Sequence, residues 1–192
     1  MTIHLTADLH LGHANICEYC NRPFISADEM DAALIDNWNK HVAPDDTVYL
    51  LGDLTLQNRE AAWRYLNQLQ GHIKIIPGNH DMAGWLKGQW KDVKYIWRRG
   101  DVLVEPAGWQ GRAQILPPIY LLRHEGNRAV LSHYALRTWY HRDSGVAHFY
   151  GHSHGTLPPV ACSLDVGVDS AFKRTGTYRP FRLSEAWGAS KA

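Results

Sequence analysis

The chain has 192 residues, which predicts one domain, and 45% of them are hydrophobic, enough to bury a sizeable core. Its net charge of +1 gives no general reason to expect nucleic acid or an anionic membrane as a partner. It lacks an apolar run of the ~20 residues that a transmembrane helix needs. Its three cysteines, with no apolar signal segment, lead us to expect a reducing, cytoplasmic compartment.

The first half of the chain alternates between predicted strands and predicted helices. One helix begins at the capping box formed by Ser26 and Glu29 and runs to about His41, and a second begins at Asn58 and ends before Gly71. The order predicts an α/β domain with parallel strands, whose active site lies beyond the carboxyl ends of those strands. The predicted strands are the short apolar runs at 3–7, 47–51 and 73–76.

The second half is predicted to consist mainly of antiparallel strands, and the tail 187–192 is predicted to fray. We expect a single domain over 1–192, in which the segment 82–125 is a candidate elaboration that shapes the substrate pocket. The predicted strands are apolar runs separated by Gly, Pro and charged residues, at 95–97, 102–104, 115–122, 129–131, 148–150 and 164–168.

Five polar clusters each lie beside a predicted strand. The tetrapeptide Gly-Asn-His-Asp at 78–81 is the specific signal, because it is expected only about 0.003 times by chance in such a chain. Residues two apart in a strand point to the same side, so the paired residues of the first and last clusters can each aim at one point. Carboxylate, imidazole and amide donors together indicate a hydrolytic transition-metal site. The clusters are Asp8 with His10, Gly52 with Asp53, Gly78 to Asp81, Ser132 with His133, and Gly151 to His154.

In this order, the clusters resemble the five motifs of the calcineurin-like metallophosphoesterases. The resemblance covers about residues 3–169, and the segments 12–15 and 21–24 are similar to a small bacterial and phage branch of that family. It implies an α/β fold, namely a four-layer α/β/β/α sandwich of two mixed β-sheets flanked by helices. It also implies two divalent metal ions, of which Mn²⁺ is the first expectation, while the same ligands suit Fe, Zn²⁺ or Ni²⁺.

The resemblance also implies a role for each motif residue. His80 would stand on the leaving-group side of the substrate, oriented by Asp81, while a hydroxide held between the two metals attacks the phosphate ester. Asp53 would bridge the pair of metals. One metal would be held by Asp8, His10, Asp53 and His154, and the other by Asp53, Asn79, His133 and His152.

The implied function is a dinuclear-metal-dependent phosphoesterase that acts on a small phosphorylated substrate. A nuclease or a cyclic-nucleotide phosphodiesterase, with a nucleotide-like substrate, would use the same metal clamp. An alternative from another class is a catalytically silent, metal-dependent binding or scaffold module. His80 and Asp81 argue against this module, because neither is needed merely to hold metal. The stretch after Gly52–Asp53 lacks the second Asp and the Arg of phosphoprotein phosphatases, which disfavours that activity.

Residues that follow the first cluster are candidates for binding the substrate. His13, Asn15 and Arg22 are chosen because they lie beside site residues in the sequence. For Arg22 the alternative is that it only ties the loop to the domain. Cys17 and Cys20 form a C-x-x-C pair that we interpret as ordinary packing residues, since a zinc site would need two further ligands nearby.

Overall fold

A computed structural model describes residues 1–87, 94–98, 101–105, 113–158 and 160–191, with the backbone alone at 94–98 and 101–105. The strands are β1 (Ile3–Thr6), β2 (Thr47–Leu50), β3 (His72–Ile75), β4 (Lys94–Arg98), β5 (Asp101–Glu105), β6 (Ala113–Ile115), β7 (Ile119–His124), β8 (Asn127–Ser132), β9 (Ala147–Tyr150), β10 (Ser163–Asp165) and β11 (Phe181–Arg182). The helices are α1 (Asn15–Tyr19), α2 (Ala27–His41), α3 (Arg59–Leu66), α4 (Asn79–Ala83), α5 (Val168–Thr175) and α6 (Leu183–Ser190), with a 3₁₀ turn at Arg142–Ser144.

The described strands form two mixed sheets. The larger has the order β11-β1-β2-β3-β6-β5-β4, in which β1, β2, β3 and β6 are parallel and the other strands are antiparallel at its edges. The smaller has the order β10-β9-β8-β7, with only β7 antiparallel. The predicted fold class, two mixed sheets flanked by helices, is confirmed.

The prediction of mainly antiparallel strands in the second half is correct only for part of it. It holds for the hairpins β4–β5 and β7–β8. It is wrong for the pairs β8–β9 and β9–β10, which are parallel because connections of about a dozen residues or more let the chain cross over. The predicted strand at 115–122 is divided at Pro117–Pro118 into β6 and β7, which belong to different sheets. Proline cannot donate to a strand ladder.

Side chains of the larger sheet alternate between two apolar clusters. Val48 and Leu50 of β2 pack towards the helices, in a cluster with the fully buried Trp38 of α2. Tyr49 lies between them in the sequence and packs towards the smaller sheet, in a cluster with Phe149. The parallel strands are therefore buried on both faces, and the loops at their ends are the parts left free to build a site.

The predicted helix starts are confirmed by their caps. The Ser26 hydroxyl accepts a hydrogen bond from the Glu29 backbone N–H at 3.1 Å, and the Asn58 side chain accepts one from Ala61 at 3.0 Å. Each cap satisfies a backbone donor that the first turn of a helix leaves unpaired. In a capping box the Glu29 carboxylate would accept the backbone N–H of Ser26, but here it accepts that of the preceding residue, Ile25, at 2.8 Å.

The predicted fraying of the tail is wrong for most of it. Helix α6 runs to Ser190, whose carbonyl accepts a hydrogen bond from the Cys162 N–H at 2.9 Å. The ring of Trp187 lies edge-on to that of Phe149, with centroids 6.0 Å apart. Residue 192 lies outside the described residues. Among the helices that are described, none is both long enough and apolar enough to cross a membrane.

Only part of the segment 82–125 can be compared with its predicted role. The described backbone places β4 and β5 at the edge of the larger sheet, next to β6. The side chains at 88–112, which make up more than half of this segment, lie outside the described residues.

Candidate metal centre

The polar clusters predicted from the sequence meet at one end of the sheets. They follow the carboxyl ends of β1, β2, β3, β8 and β9, the edge at which α/β folds place their sites. Because overlapping groups of donors share His10 and Asp53, they form one continuous cluster that can hold metal ions. The groups, each with ligand atoms within 4.8 Å of one another, are Asp8 with His10 and His154, His10 with Asp53 and His80, and Asp53 with His133 and His152.

Left-handed loop conformations bring these side chains together. Strand β1 ends at Thr6, and Asp8 and His10 beyond it have φ angles of 60° and 52°. His152 and His154 beyond β9 have φ angles of 65° and 50°. Asp8 and His10 share one donor group as predicted, whereas His152 and His154 belong to different groups. Both pairs are placed by these loop conformations and not by the side-chain alternation of a strand. Such conformations are uncommon outside glycine and persist only where surrounding contacts hold them.

The glycines of the motifs allow close approach of the loops to the ligand carboxylates. A Cβ atom added at Gly78 would overlap the carboxylate of Asp53. One added at Gly151 would lie 2.8 Å from Asp8 Oδ2, on the side where that carboxylate accepts the His152 N–H at 2.8 Å. The glycine that precedes each histidine motif is therefore required by packing against the site.

Asp53 occupies the middle of the cluster. Its Oδ2 atom lies 3.4 Å from His133 Nε2, 3.7 Å from His10 Nε2 and 4.0 Å from His80 Nε2. Its Oδ1 atom accepts the backbone N–H of His80 at 3.0 Å. Burial alone would raise the pKa of Asp53, but the His133 and His10 side chains hold it below its usual value. The group is therefore a carboxylate with one oxygen facing three imidazoles.

The ring nitrogens of two buried histidines fit metal ligation. Among the described residues, neither nitrogen of His10 has a hydrogen-bond partner, and burial lowers the pKa of this ring to about 3, so it is neutral. His133 Nδ1 donates to the Leu51 carbonyl at 2.7 Å, which leaves Nε2 facing Asn79 Oδ1 at 3.1 Å and the Asp53 carboxylate. Burial would lower the pKa of His133, but Asp53 raises it. A positive charge beside His133 Nε2 and the Asp53 carboxylate is therefore favourable. A divalent cation with nitrogen and oxygen ligands meets both requirements.

His154 is held by a carboxylate that the sequence analysis missed. Its Nδ1 atom donates to Asp169 Oδ2 at 2.7 Å, which turns Nε2 towards Asp8 and His10. Burial opposes protonation of His154, but Asp169 and its other neighbours raise its pKa to about 10. A carboxylate behind a ligating histidine fixes the tautomer and the ring orientation. The signal in the sequence was an Asp directly after the predicted strand at 164–168.

Arg22 is not at the substrate surface, so its predicted role as a substrate-binding residue is wrong. It is 3% exposed, and its Nε and Nη2 atoms donate to the two carboxylate oxygens of Asp169, each at 2.8 Å. It also donates to the backbone carbonyls of Leu9 and Asp8, at 2.9 and 2.8 Å. The alternative, that Arg22 ties its loop to the domain, is the one that the contacts support.

Asp81 does not orient the His80 ring as expected. Its carboxylate accepts the backbone N–H groups of Gly78 at 2.9 Å, Asp53 at 2.7 Å and Leu54 at 3.1 Å, and the indole N–H of Trp85 at 2.7 Å. The three backbone donors belong to the loops after β2 and β3, and Trp85 follows α4. Asp81 therefore fixes the positions of Asp53 and His80 relative to each other through the backbone.

The remaining candidates near the first cluster separate into two groups. His13 faces the site, with its ring centroid 5.9 Å from that of His10, and it lines the adjoining cavity. Asn15 is exposed at the start of α1 and is not part of that lining. Tyr134, which sequence reasoning missed, lies with its ring 4.6 Å from that of His152, and its position directly after His133 was the available signal.

The two cysteines of the C-x-x-C pair point to different surroundings. Cys17 contacts the Met30 sulfur at 3.7 Å, which agrees with a packing role. Cys20 lies with His154 and Asp169 in a group whose ligand atoms are within 4.8 Å of one another, so it borders the site. The packing interpretation therefore fits Cys17 and is too narrow for Cys20.

Comparisons with known proteins place the chain among uncharacterised relatives. No model of a known protein family matches it. Uncharacterized protein MJ1445 of Methanocaldococcus jannaschii is 50% identical over 84 residues, which are 43% of this chain and 48% of that protein, so the chain spans about half the length of this relative. The Gene 66 proteins of Mycobacterium phages L5 and D29 are 27% and 26% identical, over 79% of this chain and 77% and 78% of theirs.

Solved structures support the fold. The crystal structure of the protein of unknown function AQ665 from Aquifex aeolicus has a TM-score of 0.64 and 19% identity, over 96% of both chains. At this identity the match shows a shared fold. The crystal structure of Chaetomium thermophilum Vps29 matches with a TM-score of 0.44 and 13% identity over 96% of this chain and 76% of that one, and we base no conclusion on it.

Proposed function

We propose that this chain is a metal-dependent phosphoesterase. The observation that carries the proposal is the position of Asp53, one buried carboxylate that belongs to two groups of donors. His80 stands beside it with its side chain 41% exposed, open to the adjoining cavity. A histidine that borders the donors and faces solvent is placed to act on a substrate.

The donors divide into two sets around Asp53. Bound divalent metals would supply the positive charge that neutralises a phosphate ester and lowers the pKa of a water nucleophile. The donors suit Mn²⁺, Fe, Zn²⁺ or Ni²⁺, and Mn²⁺ is the first metal to test. We assign Asp8, His10, Asp53 and His154 to one set and Asp53, Asn79, His133 and His152 to the other. The distances from Asp53 Oδ2 to His10 and His133, and from His133 to Asn79, support this assignment.

The chain's own residues supply orientation and a proton. The backbone N–H of His80 donates to Asp53 Oδ1, so the ring is held beside the shared carboxylate. From there the His80 imidazole gives a proton to the oxygen of the departing alcohol, which removes the cost of releasing an alkoxide. Asp81 keeps this arrangement fixed, because it binds backbone N–H groups of both loops.

The substrate is a small phosphorylated molecule. The donors open onto a cavity of about 820 Å³, within the range of small-molecule sites, and the chain has no excess of positive charge to attract a polymer. Monoesters and diesters both fit the same donors, so the ester class is a result of the experiment.

The experiment is a hydrolysis screen over aryl phosphate monoesters, aryl diesters and cyclic nucleotides, with the protein loaded in turn with Mn²⁺, Fe²⁺, Zn²⁺ and Ni²⁺. With the metal and substrate that give the highest activity, His80→Gln should keep the metal content and lower kcat by roughly 100-fold or more. Asp53→Asn should lose metal as well as activity. His72→Gln, an exposed histidine at the opposite end of β3, is the matched control. Absence of hydrolysis with every metal, or loss of metal from His80→Gln, would contradict the proposal.

A further inference from the structure

A cavity of about 820 Å³ adjoins the candidate metal centre, and its two sides differ in chemistry. The first side consists of the donors His10, His152 and His154 with the adjoining His80. The second side is built by α1 and the loop before it, by α5 and by the segment before β11. Its ring-bearing members are His13, Tyr19, Phe172 and Tyr178. A molecule in the cavity therefore meets metal-binding groups at one end and aromatic faces at the other.

The aromatic side is firm and partly uncovered. The rings of Phe172 and Tyr178 are stacked, with centroids 4.3 Å apart and planes 9° apart. Tyr178 is buried and is packed from behind by Phe24, at a centroid distance of 5.4 Å. Phe172 is 37% exposed and Tyr19 is 68% exposed, so both offer apolar area to a ligand. We call Tyr19, Phe172 and Tyr178 the ring wall.

The charged groups near the ring wall are engaged with other parts of the chain. The ammonium group of Lys173 donates to the carbonyls of His154 and Gly155, at 3.0 and 3.1 Å. The carboxylate of Asp169 accepts from Arg22 and His154. Asp169 is therefore neutralised by its partners, whereas Lys173 keeps its positive charge, and the ring faces offer the cavity an apolar surface.

We propose that the ring wall binds the alcohol part of the phosphate ester and selects a flat aromatic group. The inference rests on the proposed phosphoesterase function, because the phosphate end is held by the donors on the first side. A flat ring can lie on the exposed Phe172 and Tyr19 faces, whereas a puckered ring of equal size contacts less of their area. Stacking of this kind corresponds to about a tenfold preference.

The test uses a pair of esters that differ only in the shape of the alcohol. Benzyl phosphate and cyclohexylmethyl phosphate are both primary alkyl esters of similar size, one flat and one puckered, and each is assayed as the monoester and as the methyl diester. The Mn²⁺-loaded wild type should favour the benzyl ester about tenfold in kcat/KM. Phe172→Leu and Tyr19→Ser should reduce this ratio by slowing hydrolysis of the benzyl ester, while the cyclohexylmethyl ester is hydrolysed at a similar rate.

Controls separate the ring wall from the reaction. Tyr140→Ser removes a ring of similar exposure, 48%, outside the cavity lining and should leave the benzyl preference unchanged. Binding of benzylphosphonate and cyclohexylmethylphosphonate, measured calorimetrically, gives the same comparison without turnover. If no ester is hydrolysed, the proposed function fails, and the phosphonate comparison decides the inference. Equal binding of the two phosphonates by the wild type, or equal losses on both in Phe172→Leu, would overturn it.

Discussion

Replacing Asp169 by Asn should damage both the fold and the metal centre. Asp169 is buried, and its carboxylate accepts hydrogen bonds from Arg22 Nε and Nη2, both at 2.8 Å, and from His154 Nδ1 at 2.7 Å. Burial would raise the pKa of Asp169, but His154 and Arg22 hold it below its usual value, so it carries a negative charge. An amide at this place leaves the buried Arg22 guanidinium uncompensated and turns an NH₂ group towards N–H donors.

The magnitude follows from burial. Removing one partner of a buried ion pair destabilises a protein by about 3–5 kcal/mol. Losing the carboxylate behind a ligating histidine weakens metal binding by about 10–100-fold. The free energy of unfolding is to be measured by urea denaturation, and metal affinity by titration with a competing chelator.

A matched control exists on the surface. Arg179 donates to both carboxylate oxygens of Glu185, at 2.9 and 3.3 Å, but this carboxylate is 40% exposed. Glu185→Gln makes the same chemical change in a solvated pair and should cost less than about 1 kcal/mol. If Asp169→Asn cost no more than Glu185→Gln and bound metal normally, the reasoning from burial would be refuted.

Two further variants test single contacts. Gly78→Ala should lower the metal content sharply, because its Cβ would overlap the Asp53 carboxylate. The control is Gly188→Ala, whose added Cβ has nothing within 4 Å, so the stability of the protein should be unchanged or slightly higher. Equal metal content in the two variants would contradict this reasoning. His148 is buried and neutral, since its Nδ1 donates to the Val130 carbonyl and its Nε2 accepts the Leu136 N–H, each at 3.0 Å. Burial lowers the pKa of His148, so its contribution is complete above about pH 6.5 and is lost as the pH falls, by at most about 1.4 kcal/mol per unit. His148→Gln should therefore show a smaller fall in unfolding free energy between pH 7 and pH 5, and an unchanged slope would exclude this histidine as the source.

Features that depend on neighbours in the sequence could be predicted. The caps at Ser26 and Asn58 involve residues within one helical turn, and both helices begin where predicted. The three apolar runs of the first half became parallel strands because each is short, buried on both faces and followed by polar residues. The site clusters could be located for the same reason, since they stand at the ends of those strands.

Features that depend on distant partners could not be predicted. Arg22 lies close to Asp8 and His10 in the sequence, which suggested a role at the surface of the site. Its burial follows from Asp169, which is 147 positions away. Asp81 was misjudged for a similar reason, because three backbone amides and the Trp85 indole compete for its carboxylate. The role of a charged side chain depends on its partners in the folded protein, and these cannot be identified from its neighbours in the sequence.

The number of hydrogen bonds that each carboxylate accepts explains why Asp81 and Asp53, both buried at one site, have different functions. Asp81 has donors on both oxygens, so it is used up in holding loops together. Asp53 accepts one backbone N–H at Oδ1, and its Oδ2 faces imidazole nitrogens. The lone pairs of Oδ2 are therefore available to bind a metal ion. Burial raises the pKa of Asp81, whereas the histidines around Asp53 overcome burial and lower its pKa. Whether a buried aspartate holds loops together or can bind a metal thus depends on which hydrogen-bond donors surround its carboxylate.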